Sequence, residues 1–159
     1  MPITNTIEGD LVKLAQEGRY NAIAHGCNCF CTMGSGIAPQ IAKAFPNALE
    51  VDLETTKGSL NKLGKFTVGY YEELPKVLRI LNLYTQYDFK KNSKGYNLSY
   101  DALTKCFSKL NEIYGVSSHF KLGIPQIGAG LAGGHWEAIE NIINLTTPDL
   151  DIELVMYNG

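Results

Sequence analysis

Two glycine-rich stretches carry the strongest chemical signal in this chain. Gly128-Ala129-Gly130-Leu131-Ala132-Gly133 fits G-x-G-x-x-G, and Met33-Gly34-Ser35-Gly36-Ile37-Ala38 has the same build. Each follows a short apolar run and precedes a stretch with helical spacing, so its backbone amides can meet a phosphate at a helix N-terminus. Two anion-binding turns in one short chain imply a ligand with two phosphates. Each helix dipole contributes only about 0.3–1 kcal/mol, whereas micromolar binding needs about 8 kcal/mol. Backbone hydrogen bonds and base contacts must supply the rest. A Rossmann dehydrogenase is disfavoured, because only one further strand follows the G-x-G-x-x-G stretch and that fold needs more βαβ units and a ribose-binding acid. The plainer alternative is that the glycines serve only tight strand-to-helix packing.

Around these turns stand a few side chains able to recognise or react. Gly9-Asp10-Leu11 ends the first strand pattern and offers a carboxylate that suits an exocyclic amine such as adenine N6, although it equally suits capping of a helix at Leu11. His25 has a reference pKa of about 6.5, and at a strand end facing the crevice it is the best proton-transfer candidate; the alternative is a histidine that fixes the loop by hydrogen bonds. His135 begins a helix after the second loop, and His119 reads as a surface residue. A nucleophilic Cys27 would need a phosphate clamp, and the only arginines are Arg19 and Arg79. The spacing His25-x-Cys27-x-Cys29-x-Cys31 is poor for zinc, since alternate residues of an extended segment point to opposite sides. No metal and no cofactor is expected. Tyr84, Tyr87, Trp136 and Tyr157 can stack on adenine or ribose or simply fill the core, with Tyr157-Asn158 placed nearest the adenine. Lys90, Lys91 and Lys94 read as a solvated loop that could attract an anion.

These residues need elements to position them. Ile3 to Ile7 alternates as a strand, and Leu11 to Ala15 has helical spacing after the Gly9-Asp10 break. Ala22-Ile23-Ala24 fits a buried parallel strand that gives way to a loop over 25–36. A helix runs from Ile37 to about Phe45-Pro46, with Ser35 as N-cap and Pro39 in its first turn, and a second spans Ala48 to Lys57 with Gly58 at its end. Lys65 to Tyr71 and Val77 to Tyr84 read as strands. Ser99 caps a long amphipathic helix that Gly115 ends. Phe120 to Ile124 is a strand, Pro125 to Gly134 a loop, Trp136 to Leu145 a helix, and Ile152 to Tyr157 a last strand. The alternation specifies a three-layer α/β/α sandwich around a mostly parallel mixed sheet, with ligands bound beyond the carboxyl ends of the strands.

Length and charge narrow the function. The 159 residues make one domain, 1–159, and 45% hydrophobic residues suffice for a core without disulfides. The four cysteines read as reduced thiols. With 14 Lys+Arg against 16 Asp+Glu and a net charge of -2, no basic face drives phosphate-backbone binding, so stable nucleic-acid binding is not expected. No signal peptide or membrane span is visible, so a cytoplasmic monomer without membrane contact is expected.

The motifs together resemble the macro domain family, which binds ADP-ribose and its derivatives. Gly9-Asp10-Leu11 resembles the family's adenine-recognising Gly-Asp-Ile, and Asn28 falls where its ribose-binding Asn sits. Gly34-Ser35-Gly36-Ile37-Ala38 resembles its Gly-Gly-Gly-Val/Ile-Ala loop, and Pro125-Gln126-Ile127-Gly128-Ala129-Gly130 its second phosphate loop. These motifs stand in family order across residues 3 to 157. His25-Gly26-Cys27-Asn28-Cys29, with the first loop and Leu131 to Gly133 leading into Trp136-Glu137, is similar to macro-type ADP-ribose 1''-phosphate phosphatases. The resemblance implies ligand contacts from Gly9, Asp10, Leu11, Gly26, Cys27 and Asn28, from Met33 through Ala38, and from Ile127, Gly128, Ala129, Gly130, Leu131, Ala132 and Gly133. It leaves His25 and Asn28 as the catalytic candidates. A sister branch hydrolyses ADP-ribose from glutamate side chains or DNA bases with a Lys before the long helix and an Asp in the second loop. Here Ala132 stands at that Asp position, and the segment Asn82 to Tyr87 holds no lysine. A noncatalytic ADP-ribose reader would use the same loops.

Overall fold

The computed structural model describes residues 3–73, 75–89, 97–130 and 132–157. Lys90, Lys91, Lys94, Leu131 and Asn158 lie outside them. Six strands form one sheet, β1 (Ile3–Gly9), β2 (Ala22–Cys27), β3 (Phe66–Tyr71), β4 (Leu78–Tyr84), β5 (Lys121–Ile124) and β6 (Asp151–Tyr157). Their spatial order is β1-β6-β5-β2-β4-β3, and every pair is parallel except β3 with β4. Five α-helices cover the faces, α1 (Leu11–Gln16), α2 (Ala38–Ala44), α3 (Pro46–Leu53), α4 (Tyr100–Tyr114) and α5 (Trp136–Thr146). A 3-10 turn at Leu60–Lys62 is an addition to the expected elements.

Side-chain alternation along the strands builds two cores. Ala22, Ala24, Leu81 and Leu83 pack with Leu103, Phe107 and Leu110 of α4 and Ile139 and Ile143 of α5. Ile23, Leu78 and Ile80 face the other way, onto Leu11 and Ala15 of α1, Ile41 of α2 and Ala48 of α3. This is the expected three-layer α/β/α sandwich with a mostly parallel mixed sheet. No helix among the described residues is long and apolar enough to cross a membrane.

Three local expectations change, and for Tyr84 the core alternative holds. β2 continues through His25, Gly26 and Cys27, because backbone pairing to Asn82, Leu83 and Tyr84 of β4 carries it past its apolar stretch. Ser35 does not cap α2, whose N-cap is Ile37 with no side-chain bond. α3 begins at Pro46 and stops at Leu53, since the Thr55 hydroxyl takes the Asp52 carbonyl (2.6 Å) and the Gly58 amide turns away to the Cys29 carbonyl (2.7 Å). Tyr84 is core, 1% exposed, with its hydroxyl donating to Asp52 Oδ1 at 2.6 Å.

At the amino ends of the strands, the buried Glu153 carboxylate accepts from Arg19 at 2.6 and 2.9 Å, from the Tyr20 hydroxyl at 2.6 Å and from Asn5 Nδ2 at 2.8 Å. These donors, Arg19 first, hold its pKa at about 2. The fastening lies at the end of the sheet opposite the cleft described next.

Candidate functional site

The carboxyl ends of β1, β2, β4, β5 and β6 open on one cleft made of two adjoining cavities. The larger, about 720 Å³, is lined by His25 through Asn28, by Met33 through Ala38, and by Ile127, Gly128, Gly130 and Ala132. The smaller, about 330 Å³, is lined by Gly9, Asp10 and Leu11 together with Val155 and Tyr157. Gly36, Ile37 and Pro125 border both. The three expected motifs therefore meet, although Ala129 and Gly133 do not line either cavity. The sequence reading did not pick out Thr32, Gln86 and Gln40, polar residues whose only signal is their position beside the motifs, nor Gln126 as a contact, although it stands inside the quoted second loop.

The first loop is tied down from beneath. Asn28 Nδ2 donates to the Thr32 carbonyl (3.0 Å) and hydroxyl (2.8 Å), and its Oδ1 accepts from the Phe30 amide at 2.8 Å. The buried Lys62 ammonium donates to the Cys29 carbonyl at 2.9 Å and sits 4.9 Å over the Tyr84 ring. With the loop so braced, the amides of Gly34, Ser35, Gly36 and Ile37 have no acceptor among the described residues. In the second loop the Gly134 amide closes on the Gly128 carbonyl at 2.7 Å, while the amides of Gly128 and Gly130 likewise have no acceptor among the described residues. Gly36 and Gly128 have φ of 62° and 78°, a region glycine enters without strain.

His25 differs from its expectation in two respects. The residue borders the larger cavity, but its ring is fully buried, with Nε2 turned to Asn82 rather than to solvent, and burial lowers its pKa to about 4. Nε2 lies 2.7 Å from Asn82 Oδ1. Cys27, 7% exposed, has Sγ 3.5 Å from His25 Nε2, and burial pushes its thiol well above the ordinary range. Neither is a charged group at neutral pH, and no Asp or Glu among the described residues lines the larger cavity. Asp10 Oδ1 accepts from the Lys13 amide at 3.2 Å, capping α1, and the residue also walls the smaller cavity. Tyr157 there is 67% exposed. Tyr87 instead donates to the Gly58 carbonyl at 2.7 Å, and Trp136 packs against the core. His119 and His135 are exposed. Cys29 Sγ points to the Gln86 carbonyl and Cys31 Sγ to the Asp52 carbonyl, and no three metal-ligating side chains gather among the described residues.

The Macro domain family model matches residues 24–143. The chain belongs to the macro domain family. A relative, the uncharacterized 17.5 kDa protein of the tk-vs intergenic region of Enterobacteria phage T4, is 43% identical over 158 residues, covering 96% of each chain. The DNA ADP-ribosyl glycohydrolase of Mycobacterium tuberculosis is 28% identical over 155 residues, covering 94% of this chain and 40% of that protein. Among solved structures, Thermosipho africanus DarTG in complex with ADP-ribose superposes with a TM-score of 0.70 at 19% identity, covering 99% of this chain and 42% of that one. The macro domain thus spans about two fifths of those longer chains.

Proposed function

We propose that the cleft binds one ADP-ribose unit and that the protein removes the 1''-phosphate from ADP-ribose 1''-phosphate, giving ADP-ribose and phosphate. The observation that supports this reading is a set of amides from two loops around one cavity that have no acceptor, and no carboxylate lining that cavity, among the described residues. Amides without protein acceptors stabilise anionic oxygen, and a carboxylate there would repel a phosphomonoester. In this reading the adenine lies in the smaller cavity against Asp10, the diphosphate between the loops, and the distal ribose near Asn28.

Hydrolysis breaks the bond between phosphorus and the 1'' oxygen as a water attacks in line, and the leaving oxygen ends protonated. The transition state of phosphoryl transfer is loose and asks mainly for positioning and charge stabilisation. The leaving group is a hemiacetal hydroxyl, more acidic than an ordinary alcohol, which lessens the need for a side-chain acid. His25 serves as a positioning residue beneath Cys27 and Asn28.

A second reading, an ADP-ribosyl hydrolase acting on modified protein or nucleic acid, is favoured by the likeness to the mycobacterial DNA ADP-ribosyl glycohydrolase. Against it stand Ala132 and the lysine-free segment Asn82 to Tyr87. The deciding experiment gives the pure protein ADP-ribose 1''-phosphate, a glutamate-ADP-ribosylated protein and ADP-ribosylated DNA. Phosphate release from the first alone supports the phosphatase. Turnover of only the others replaces it with the hydrolase, and ADP-ribose binding without turnover leaves a reader.

A further inference from the structure

Gln86 lines the larger cavity, and its side chain is held with one end unused. It follows β4 and is half-buried. Its Nε2 donates to the Asp88 carbonyl at 2.9 Å. A carbonyl only accepts, so the carboxamide cannot be turned end for end, and Oε1 is left without a partner among the described residues. The main chain there is fixed as well: Gln86 bridges to Leu98, and the Tyr87 carbonyl accepts from the Cys29 amide at 2.8 Å. β2 and β4 run side by side with Cys27 against Tyr84, and β4 lies beyond β2 from β1. Gln86 therefore stands on the side of Asn28 away from Asp10 and the smaller cavity. The other polar groups near it are committed or elsewhere. Asn28 spends both ends of its carboxamide on Thr32 and Phe30, and His25 Nε2 is turned to Asn82. Gln126 stands after β5, on the side of β2 nearer the smaller cavity. With no Asp or Glu in the lining among the described residues, the cavity offers an attacking water no carboxylate base, and a loose phosphoryl transfer needs that water aimed rather than deprotonated.

Resting on the reading that the cleft hydrolyses ADP-ribose 1''-phosphate, we propose that Gln86 is a catalytic residue of that reaction: its Oε1 accepts a hydrogen bond from the attacking water and aims the water oxygen at phosphorus. As the new bond from that oxygen to phosphorus forms, the bond from phosphorus to the 1'' oxygen breaks. In the monoanionic substrate the phosphate's own proton passes to the leaving oxygen, and the water carries both its hydrogens into dihydrogen phosphate. Gln86 takes up no proton.

The test measures phosphate release from ADP-ribose 1''-phosphate by wild type, Gln86→Met and Gln86→Glu, with ADP-ribose affinity by calorimetry for each. Methionine keeps the length and removes the acceptor. Glutamate keeps an acceptor, and both variants lose the bond to the Asp88 carbonyl, so a purely structural role would harm them alike. Gln86→Met should lower kcat about 10- to 100-fold, the effect of a misaimed nucleophile. Its affinity for ADP-ribose, which has no reacting phosphate, should stay within about twofold of wild type. Gln86→Glu should keep a kcat about fivefold or more above that of Gln86→Met, the worth of one ordinary hydrogen bond, with KM raised by its charge against the phosphate. The inference is overturned if Gln86→Met keeps the wild-type kcat, if it loses ADP-ribose affinity in step with kcat, or if Gln86→Glu turns over no faster than Gln86→Met. Wild type that binds ADP-ribose yet releases no phosphate overturns it too, through the reading beneath it and not through Gln86.

Discussion

The His25 ring donates to the Asn82 carboxamide across 2.7 Å, and the direction of that bond is fixed by what else Asn82 does. Asn82 Nδ2 gives its hydrogens to the Ala48 carbonyl (2.9 Å) and the Thr67 hydroxyl (3.0 Å). Its Oδ1 is therefore the acceptor, Nε2 of His25 carries the proton, and Nδ1 carries none; Cys27 Sγ lies 3.5 Å from Nε2 and 3.9 Å from Nδ1. The ring is a neutral strut between β2 and β4.

A neutral buried histidine makes the fold sensitive to acid. The folded pKa of about 4 lies below the ordinary 6.5, so between those values the unfolded chain binds more protons. The His25 contribution is full above pH 6.5 and declines as pH falls toward 4. Urea unfolding should show stability falling across that window, and the fall should be smaller in His25→Gln. An NMR titration that places the His25 midpoint near 6.5 contradicts this.

Asp10 offers a way to separate capping from recognition. Asparagine caps a helix as well as aspartate does, so Asp10→Asn should melt with wild type. The oxygen not bonded to Lys13 becomes an NH2 group, which cannot accept from adenine N6, and ADP-ribose affinity should fall about tenfold, as for loss of a charged hydrogen bond. Unchanged affinity in calorimetry rejects Asp10 as the adenine acceptor.

The layers and elements of this fold were legible in the sequence because strands such as Leu78-Arg79-Ile80-Leu81 and helices such as α4, capped by Ser99, announce themselves by apolar spacing and local caps. The loops were legible by their glycines. What could not be read is whatever depends on a distant partner. His25 looks like an exposed loop residue until Asn82, 57 positions away, is placed beside it. Lys62 carries no signal in the sequence, yet it is buried under the first loop on the Cys29 carbonyl. Ser35 has the right type for a cap, but the chain at Ile37 already turns as helix before the serine can reach it.

The thiols should be slow to react in the native protein. Burial pushes Cys106 to about 12 and Cys27 well upward, so neither presents thiolate at neutral pH. Iodoacetamide followed by mass spectrometry should leave both unmodified in native protein and modify both in urea. Native labelling of Cys27 at the rate of a free cysteine contradicts the buried thiol and reopens it as a nucleophile.

Gly69 is a packing test of the α3 side. A Cβ there would lie 2.7 Å from Ala48 Cα and 2.8 Å from its amide nitrogen, backbone atoms that have no rotamer to change. Gly69→Ala should destabilise by about 1–3 kcal/mol, seen as a lower urea midpoint. Because the Ala48 carbonyl holds Asn82, the substitution should also raise the His25 pKa toward its ordinary value; an unaltered midpoint and titration rejects the contact.

The pairing of β1 with β6 alone joins segments about 150 residues apart. On the ribosome, residues 3–9 must wait as an unpaired strand until residues 151–157 emerge, so the wall that carries Asp10 is finished last. Synthesis that stalls before that final strand would yield a chain with most of its helices in place and no seat for a base.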